Sequence, residues 1–238
     1  MPIEISEAPS VMGSPAQDWK LLASRIIARL LKADATYANI EQLCTEAANN
    51  AIGSVLVGPA HIGLAASVLG VRSVKIATLV GLPFGANTTT TKRFEALDAL
   101  RLGASRIEMI MNVSALKSGD RVRVETEMRT MADLAHDNGA SFYVSIEVAL
   151  LSLEEKILAC QLAVAADSDG VSSGTGLSGV CSLPSDISLM RGVVGDKLDV
   201  IASDGIETLE DLQSMIEAGA SRITTNFAAE IINAARKS

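Results

Sequence analysis

The sequence predicts a single-domain (β/α)8 barrel, the TIM-barrel fold, from three observations. Runs of β-branched and aliphatic residues alternate with alanine-rich stretches of helical length. Eight such runs occur, as this barrel requires. Helical stretches end in Gly-Ala shortly before the next run, at Gly103, Gly139 and Gly219. A doubly wound sheet is the alternative, but it usually has fewer strands and a glycine-rich first βα turn, which we do not find.

The predicted elements follow one another at regular intervals. The strands are residues 25–31, 53–57, 73–80, 106–113, 141–148, 170–173, 198–203 and 221–225. The helices recognised between them are residues 36–51, 90–104, 122–140, 152–166 and 208–220. Thr36 is a predicted N-cap, Ser152 and Glu155 form a capping box, and Thr208 with Asp211 is a weaker version of that box. No linker or composition shift interrupts residues 1–238, so we expect one domain, with residues 1–20 as an N-terminal extension and helix.

The composition indicates a well-buried globular protein. Hydrophobic residues make up 48% of the 238 residues and charged residues 20%, which argues against a disordered chain. The net charge of -8 argues against nucleic acid and against anionic membrane surfaces as partners. No apolar segment approaches the roughly 20 residues that cross a bilayer.

Cysteine and histidine usage favours a reducing compartment and no metal site. Cys44, Cys160 and Cys181 are dispersed and lack CxxC spacing, which indicates free thiols. The polar, acidic N-terminal sequence is not a signal peptide, so we expect a cytoplasmic protein. His61 and His136 are isolated from each other and are expected on the surface or at a helix end. We therefore predict neither a metal nor a cofactor.

In a barrel of this kind, chemistry gathers at the carboxyl ends of the strands and in the loops that follow. Three carboxylates lie at such positions, namely Glu108, Glu147 and Asp204. A carboxylate near a barrel axis is costly unless it is paired or hydrogen-bonded. A structural role, with the carboxylate bonded to backbone or to a lysine, is therefore the alternative to catalysis, above all for Glu147.

Several segments then carry a resemblance to a known family. They are LLKADAT (30–36), VKIATLVGLPFGA (74–86), KRFEA (92–96), NVSALKSGD (112–120), SGTG (173–176), LMRGVVG (189–195) and ASDGIETLEDLQSMIEAGASRI (202–223). In this order and spacing, from about Ile26 onward, the chain resembles the deoxyribose-phosphate aldolases, the DeoC family of barrels. The resemblance implies a class I aldolase. In that family a sixth-strand lysine forms a Schiff base, a seventh-strand lysine lowers its pKa, and a fourth-strand aspartate moves protons.

The residues at the family's catalytic positions differ from this pattern. Ser172 stands where the resemblance places the Schiff-base lysine, and Ile201 stands at the second lysine. Glu108 stands at the aspartate. On the first strand, Ile27 and Arg29 stand where an aspartate and a threonine are usual, and Leu56 replaces a second-strand cysteine. Serine cannot form an iminium, so the sequence predicts that Schiff-base chemistry has been abandoned.

The family's phosphate-binding turns are also altered. Thr175, Gly176 and Gly205 remain, but Asp204 replaces a glycine, Glu207 replaces an arginine, and Leu177 stands where relatives often have a basic residue. A carboxylate at short range repels a phosphate dianion by roughly several kcal/mol. Either Asp204 turns away, or the ligand is neutral or carries a cation.

These positions define the predicted site. Glu108 is the candidate acid or base, with Glu147 or Asp204 as its partner, and Ser172 is expected to orient a carbonyl or hydroxyl group. The candidate substrate-binding residues are Asn112, Ser173, Thr175, Gly176, Ser203, Gly205, Thr225 and Asn226. Among the lysines, Lys75 is expected at the amino end of the barrel, and Lys92 and Lys117 are expected to be exposed, ordinary amines.

Three functions stay open. The first is a lyase that acts on a small carbonyl or sugar-like compound by carboxylate acid/base chemistry, through aldol or retro-aldol cleavage, enolisation, dehydration or cyclisation. The second is a catalytically inactive homologue that binds a metabolite or a partner. The third is a true 2-deoxyribose-5-phosphate aldolase that uses another lysine. We rank them in this order, and the resemblance also implies a possible homodimer.

Overall fold

The computed structural model describes residues 15–176, 179 and 181–237, and it confirms the predicted fold class. Eight parallel strands pair in sequence order and close into a barrel, with the last strand bonded to the first. They are β1 (Ile26–Leu30), β2 (Ser54–Val57), β3 (Lys75–Val80), β4 (Arg106–Ile110), β5 (Ser141–Ser145), β6 (Gly170–Ser172), β7 (Asp199–Ser203) and β8 (Arg222–Thr225).

Helices lie between the strands and cover the outside of the barrel. They are α1 (Pro15–Arg25), α2 (Tyr37–Asn49), α3 (Ile62–Leu69), α4 (Thr89–Arg101), α5 (Val113–Lys117), α6 (Arg121–Asp137), α7 (Leu153–Ala165), α8 (Pro184–Val194), α9 (Leu209–Glu217) and α10 (Ala228–Ala235). Short 3-10 turns span residues 59–61 and 148–150.

Two predicted strands extend three residues beyond the carboxyl ends of the observed strands, in each case because a turn begins where the apolar run continues. Residues 106–113 were expected to be one strand, but β4 ends at Ile110, because Asn112 caps α5. Residues 141–148 were also expected to be one strand, but β5 ends at Ser145. Glu147 adopts a left-handed backbone with φ of 55°, which breaks the extended chain.

The predicted helix caps are present. The Thr36 hydroxyl accepts a hydrogen bond from the backbone N–H of Asn39. Ser152 and Glu155 form the reciprocal capping box. Thr208 forms the same box with Asp211 at the start of α9. Each side chain satisfies N–H groups that a helix start leaves unpaired, which fixes where the loop after a strand ends.

The barrel interior is packed rather than open. A small apolar cluster fills it, made of Ile27, Leu56, Ala77, Leu79, Tyr143 and Ile201. A larger cluster fills the layer between the strands and the helices. Alternate residues of a strand point to opposite faces, so Arg29 shares the inner face with Ile27, and Glu108 shares it with Arg106.

The cysteines, His136 and the lengths of the helices bear on the remaining expectations. Cys44 and Cys160 are buried, Cys181 is exposed, and all three are free. His136 lies in the last turn of α6, with Nε2 2.9 Å from Asp169 Oδ2. None of the helices in the described part of the chain is both long and apolar enough to cross a membrane.

Candidate active site

The inner wall at the carboxyl end of the barrel carries a buried carboxylate beside two hydroxyls. Glu108, on β4, has 3% of its surface exposed, and Ser172, at the end of β6, is fully buried. The Ser172 hydroxyl lies 3.1 Å from the Ser203 hydroxyl on β7. Ser172 also forms a side-chain hydrogen bond with Glu108. The structure therefore brings together three of the predicted site residues.

Glu108 titrates near neutrality. Burial raises its pKa to about 7, and the negative charge of Glu147 adds to this increase. The hydrogen bond from Ser172 and the positive charges of Arg106 and Arg29 oppose the increase without cancelling it. A carboxyl group with this pKa can both accept and return a proton at neutral pH.

The second cluster at this mouth is an ion pair that the sequence did not reveal. Arg29, at the end of β1, donates from Nη1 to Asp204 Oδ1 at 2.7 Å and to the Thr175 carbonyl at 2.9 Å. Its Nε donates to Asn226 Oδ1 at 3.2 Å. The side chains of Arg29 and Asp204 are only 12% and 10% exposed. One guanidinium thus ties together the turns after β6, β7 and β8.

This pair changes the expected electrostatics of the mouth. The sequence offered two alternatives for Asp204, a carboxylate turned away from the site or one that excludes a phosphate. In the structure Asp204 is neutralised by Arg29 instead. The only sequence signal was a basic residue two positions after Ile27 on an otherwise apolar inner strand face. Its partner Asp204 lies in the turn after β7, 175 positions along the chain, so a local sequence pattern could not identify it.

Glu147 holds the turn that follows β6. Its Oε1 accepts hydrogen bonds from the Thr175 backbone N–H at 2.8 Å and from the Ser145 hydroxyl at 3.0 Å. Burial raises the pKa of Glu147, and these hydrogen bonds oppose the increase. The geometry gives Glu147 the backbone-bonded role that was the alternative to catalysis.

The absence of a side chain at Gly176 lets the Arg29–Asp204 ion pair lie against the turn after β6. Its φ is 82°, in the left-handed region. A Cβ at this position would lie 2.1 Å from Asp204 Oδ1 and 2.8 Å from Arg29 Nη1. Gly205, with φ of 71°, is packed in the same way, because its Cβ would lie 2.7 Å from Cys181 Sγ. Both glycines are therefore required by space as well as by backbone conformation.

Ser173 joins two turns instead of facing the barrel interior. Its hydroxyl accepts hydrogen bonds from the Ser203 backbone N–H at 3.0 Å and from the Ser182 hydroxyl at 2.6 Å. Ser182 also donates to the Ser203 carbonyl at 2.8 Å. Ser173 is fully buried.

The other candidate binding residues occupy turns around the mouth. Asn112 caps α5 by accepting from the Ala115 N–H at 3.0 Å. Thr225 donates to the Ile206 carbonyl at 2.6 Å. Asn226 is exposed and accepts from Arg29. Leu177, noted as a departure from the basic residue of relatives, lies outside the described residues.

Lys92 was expected to be exposed, and this prediction is wrong. Its side chain is fully buried, and Nζ donates to Glu127 Oε2 at 2.7 Å and to the Ile110 carbonyl at 2.9 Å. Gly81 leaves room for the Lys92 side chain, because a Cβ at position 81 would lie 2.8 Å from Lys92 Cε. Lys117 is exposed as expected and pairs with Glu155. None of these contacts places an amine against Ser172.

Comparisons with known proteins agree with this architecture. A model of the DeoC/LacD family aldolases matches residues 18–227. A deoxyribose-phosphate aldolase from Geobacillus sp. (strain WCH70) is 43% identical over 211 residues, which cover 89% of this chain and 94% of that relative. Among solved structures, the aldolase QR15 has a TM-score of 0.86 at 30% identity and covers 91% of this chain and 96% of its own.

A second solved structure is a deoxyribose phosphate aldolase from Aeropyrum pernix, described as a unique tetramer. It has a TM-score of 0.85 at 25% identity, with 94% of this chain and 92% of that chain covered. The closed barrel, together with the family match and the names of these relatives, places the chain among the TIM-barrel lyases. The chain belongs to the DeoC/LacD aldolase family.

Proposed function

We propose that this chain is a lyase that acts on a small carbonyl or sugar-like compound by carboxylate acid/base chemistry, without a Schiff base. One observation supports this most directly: Glu108 is buried on the inner wall, hydrogen-bonded to Ser172, with its pKa raised to about 7. The resemblance places the family's proton-handling aspartate at the same position. The residues at the two lysine positions, Ser172 and Ile201, carry no amine.

The proposed step is a retro-aldol cleavage of a β-hydroxycarbonyl compound. The Glu108 carboxylate takes the proton of the β-hydroxyl group. The carbon–carbon bond then breaks, and its electron pair forms an enolate on the carbonyl fragment. The protonated Glu108 returns the proton to the α-carbon, which releases two carbonyl compounds and restores the carboxylate. Enolisation or dehydration would begin with a proton transfer to the same carboxylate.

Arg29 and the hydroxyls supply the groups that stabilise negative charge. Arg29 acts electrostatically on Glu108, and Ser172 bonds to it. A guanidinium is always charged, so Arg29 can stabilise the negative charge of an enolate oxygen. Schiff-base catalysis would instead require a lysine that first loses its proton to become a nucleophile. The Ser172 and Ser203 hydroxyls can orient the substrate carbonyl.

The test is a screen with small hydroxycarbonyl compounds, with turnover followed by proton NMR in deuterated water. The proton transfer predicts incorporation of deuterium at the α-carbon. Glu108→Gln should reduce turnover by about 10²- to 10⁴-fold, since it removes the proton acceptor but keeps the shape. The matched control is Glu41→Gln on the exposed face of α2, which should keep full turnover. Unchanged turnover in Glu108→Gln would remove Glu108 from the mechanism.

A second candidate function is aldol cleavage of deoxyribose 5-phosphate through a different lysine. The name of the Geobacillus relative favours it. Lys32 lies two residues after the end of β1 and lines a cavity of about 350 Å³ that Arg29 and Asn226 also line. Borohydride reduction with acetaldehyde or deoxyribose 5-phosphate should then add covalent mass to the intact chain but not to Lys32→Ala. Absence of any adduct would exclude a Schiff base, and binding without turnover would indicate an inactive homologue.

We also propose a single-domain protein of the cytoplasm that associates with itself. The tetrameric description of the Aeropyrum pernix aldolase supports self-association. Phe84 and Phe94 are 78% and 71% exposed, and interfaces between proteins are enriched in aromatic residues. Light scattering during size-exclusion chromatography should give a mass at least twice that of the 24.8 kDa chain.

A further inference from the structure

The amino-terminal mouth of the barrel holds a basic cavity, at the opposite end from the site described above. Its volume is about 470 Å³. Three cations line it, Lys75 on β3, Arg106 on β4 and Arg222 on β8, together with hydroxyl groups that include Ser54 and Ser141. No carboxylate is among the described residues that line this cavity. In a chain of net charge -8, this concentration of positive charge is local and specific.

Arg106 lies in this cavity with part of its guanidinium unpaired. The residue is 5% exposed, and its Nε and Nη1 are buried without a hydrogen-bond partner among the described residues. The guanidinium carbon lies 4.4 Å from the centre of the Tyr143 ring. A cation–π contact of this kind stabilises a guanidinium by less than the burial of an uncompensated charge costs. The contact with Tyr143 therefore does not balance the burial of Arg106.

Asp199, at the start of β7 beside this cavity, is already hydrogen-bonded to other groups. Asp199 Oδ2 accepts hydrogen bonds from Arg222 Nε at 2.8 Å and from the Tyr143 hydroxyl at 2.8 Å. Glu108, on the same inner strand face, and Asp199 act on Arg106 only through the electrostatic field, and neither is hydrogen-bonded to it among the described residues. Lys75, at the first position of β3, is exposed toward the same cavity.

We infer that the amino-terminal mouth is a binding site for a small oxyanion, a phosphate or carboxylate group held by Arg106 and Lys75. Charge-assisted hydrogen bonds to a guanidinium favour planar or tetrahedral oxyanions, and the Ser54 and Ser141 hydroxyls can donate to the remaining oxygens. A neutral ligand would leave Arg106 and Lys75 without a bonded counter-charge among the described residues, and a cation would be repelled. This site does not depend on the proposed acid/base chemistry at the other mouth.

The test measures thermal unfolding of the full chain with inorganic phosphate and, in a separate arm, with acetate, each against chloride at equal ionic strength. Stabilisation by phosphate alone identifies a phosphate ligand, and stabilisation by acetate alone identifies a carboxylate. Arg106→Gln should raise the Kd for the anion that stabilises the protein by about tenfold or more, because the substitution removes a charge-assisted hydrogen bond. Arg101→Gln, an exposed arginine at the end of α4, is the matched control and should leave the Kd unchanged.

Two further variants keep the inference falsifiable. Lys75→Gln removes an exposed charge from the same cavity, so it should weaken binding even if Arg106→Gln fails to fold. Arg29→Gln tests the opposite mouth and should leave the Kd unchanged. The inference is overturned if neither anion stabilises the protein more than chloride does, or if Arg29→Gln abolishes stabilisation that Lys75→Gln keeps.

Discussion

At the scale of single residues, Glu108 couples stability to pH. Its pKa is raised from 4.5 to about 7 in the folded chain, so folding favours the protonated form. That stabilisation is complete below about pH 4.5 and is lost as the pH rises through about 7. The shift corresponds to about 3 kcal/mol.

Glu108→Gln removes this titration while keeping the side chain neutral and similar in shape. Chemical denaturation of both proteins between pH 4 and pH 8 should show the free energy of unfolding of the wild type falling relative to the variant, by about 3 kcal/mol. Parallel curves across this range would mean that Glu108 titrates alike in the folded and unfolded chain. If Glu108 is the base, turnover should rise with pH through about 7.

Substitution of Gly176 should lower the stability of the fold for two structural reasons. Gly176→Ala would place a methyl carbon 2.1 Å from Asp204 Oδ1 and would force a left-handed backbone on alanine. We expect a loss of about 1–3 kcal/mol in the free energy of unfolding, together with disruption of the Arg29–Asp204 pair. Gly192→Ala is the control, because nothing lies within 4 Å of its Cβ and α8 favours alanine. Equal stability of the two variants would contradict the crowding at Gly176.

At the scale of elements, the buried pair Lys92–Glu127 joins α4 to α6 and, through the Ile110 carbonyl, to the end of β4. Burial lowers the pKa of Lys92, and Glu127 opposes this shift. Lys92→Met should cost about 3–5 kcal/mol, because it leaves the Glu127 carboxylate buried without its cation. Lys92→Met combined with Glu127→Gln should recover much of that loss in denaturant titrations.

The exposed pair Lys117–Glu155 is the matched control for this prediction. The side chains are 45% and 25% exposed, so Lys117→Met should cost less than about 1 kcal/mol. A similar cost for both lysines would show that burial does not control the strength of these pairs. A double variant no more stable than Lys92→Met would show that Glu127 is not the group left uncompensated.

The sequence predicts most, but not all, of the observed helices and strands. Periodicity and caps located all eight strands and the starts of α2, α7 and α9, because these signals are local. The same reasoning extended β4 and β5 too far, since apolar residues continue past the Asn112 cap after β4 and past the left-handed turn at Glu147 after β5. It also missed the helices α3, α5, α8 and α10, and it placed Lys92 in solvent.

The site was predictable to a similar extent. The rule that barrel strands end at the functional face selected Glu108, Ser172, Ser203 and Asp204. The pairing of Asp204 with Arg29 depends on closure of the barrel, which brings β1 beside β8 and both near β7. No local pattern contains that information.

At the scale of the whole molecule, the chemistry of a barrel can change while its fold stays the same. The side chains at the strand ends can be replaced without altering the strands. Ser172 and Ile201 occupy neighbouring strands and are paired in register. Ser172→Lys combined with Ile201→Lys should therefore place two amines side by side on the inner wall. The second cation lowers the pKa of the first amine, which leaves more of it as a nucleophile.

We expect the double variant to form a covalent adduct with acetaldehyde that borohydride traps and that mass spectrometry of the intact chain detects. Ser172→Lys alone should form less adduct, because Glu108 bonds to position 172 and would stabilise the charged ammonium. Ile201→Lys alone should form none above the wild type. Circular dichroism must show that each variant is folded. A folded double variant without an adduct would mean that two amines at these positions are not sufficient for Schiff-base chemistry in this barrel.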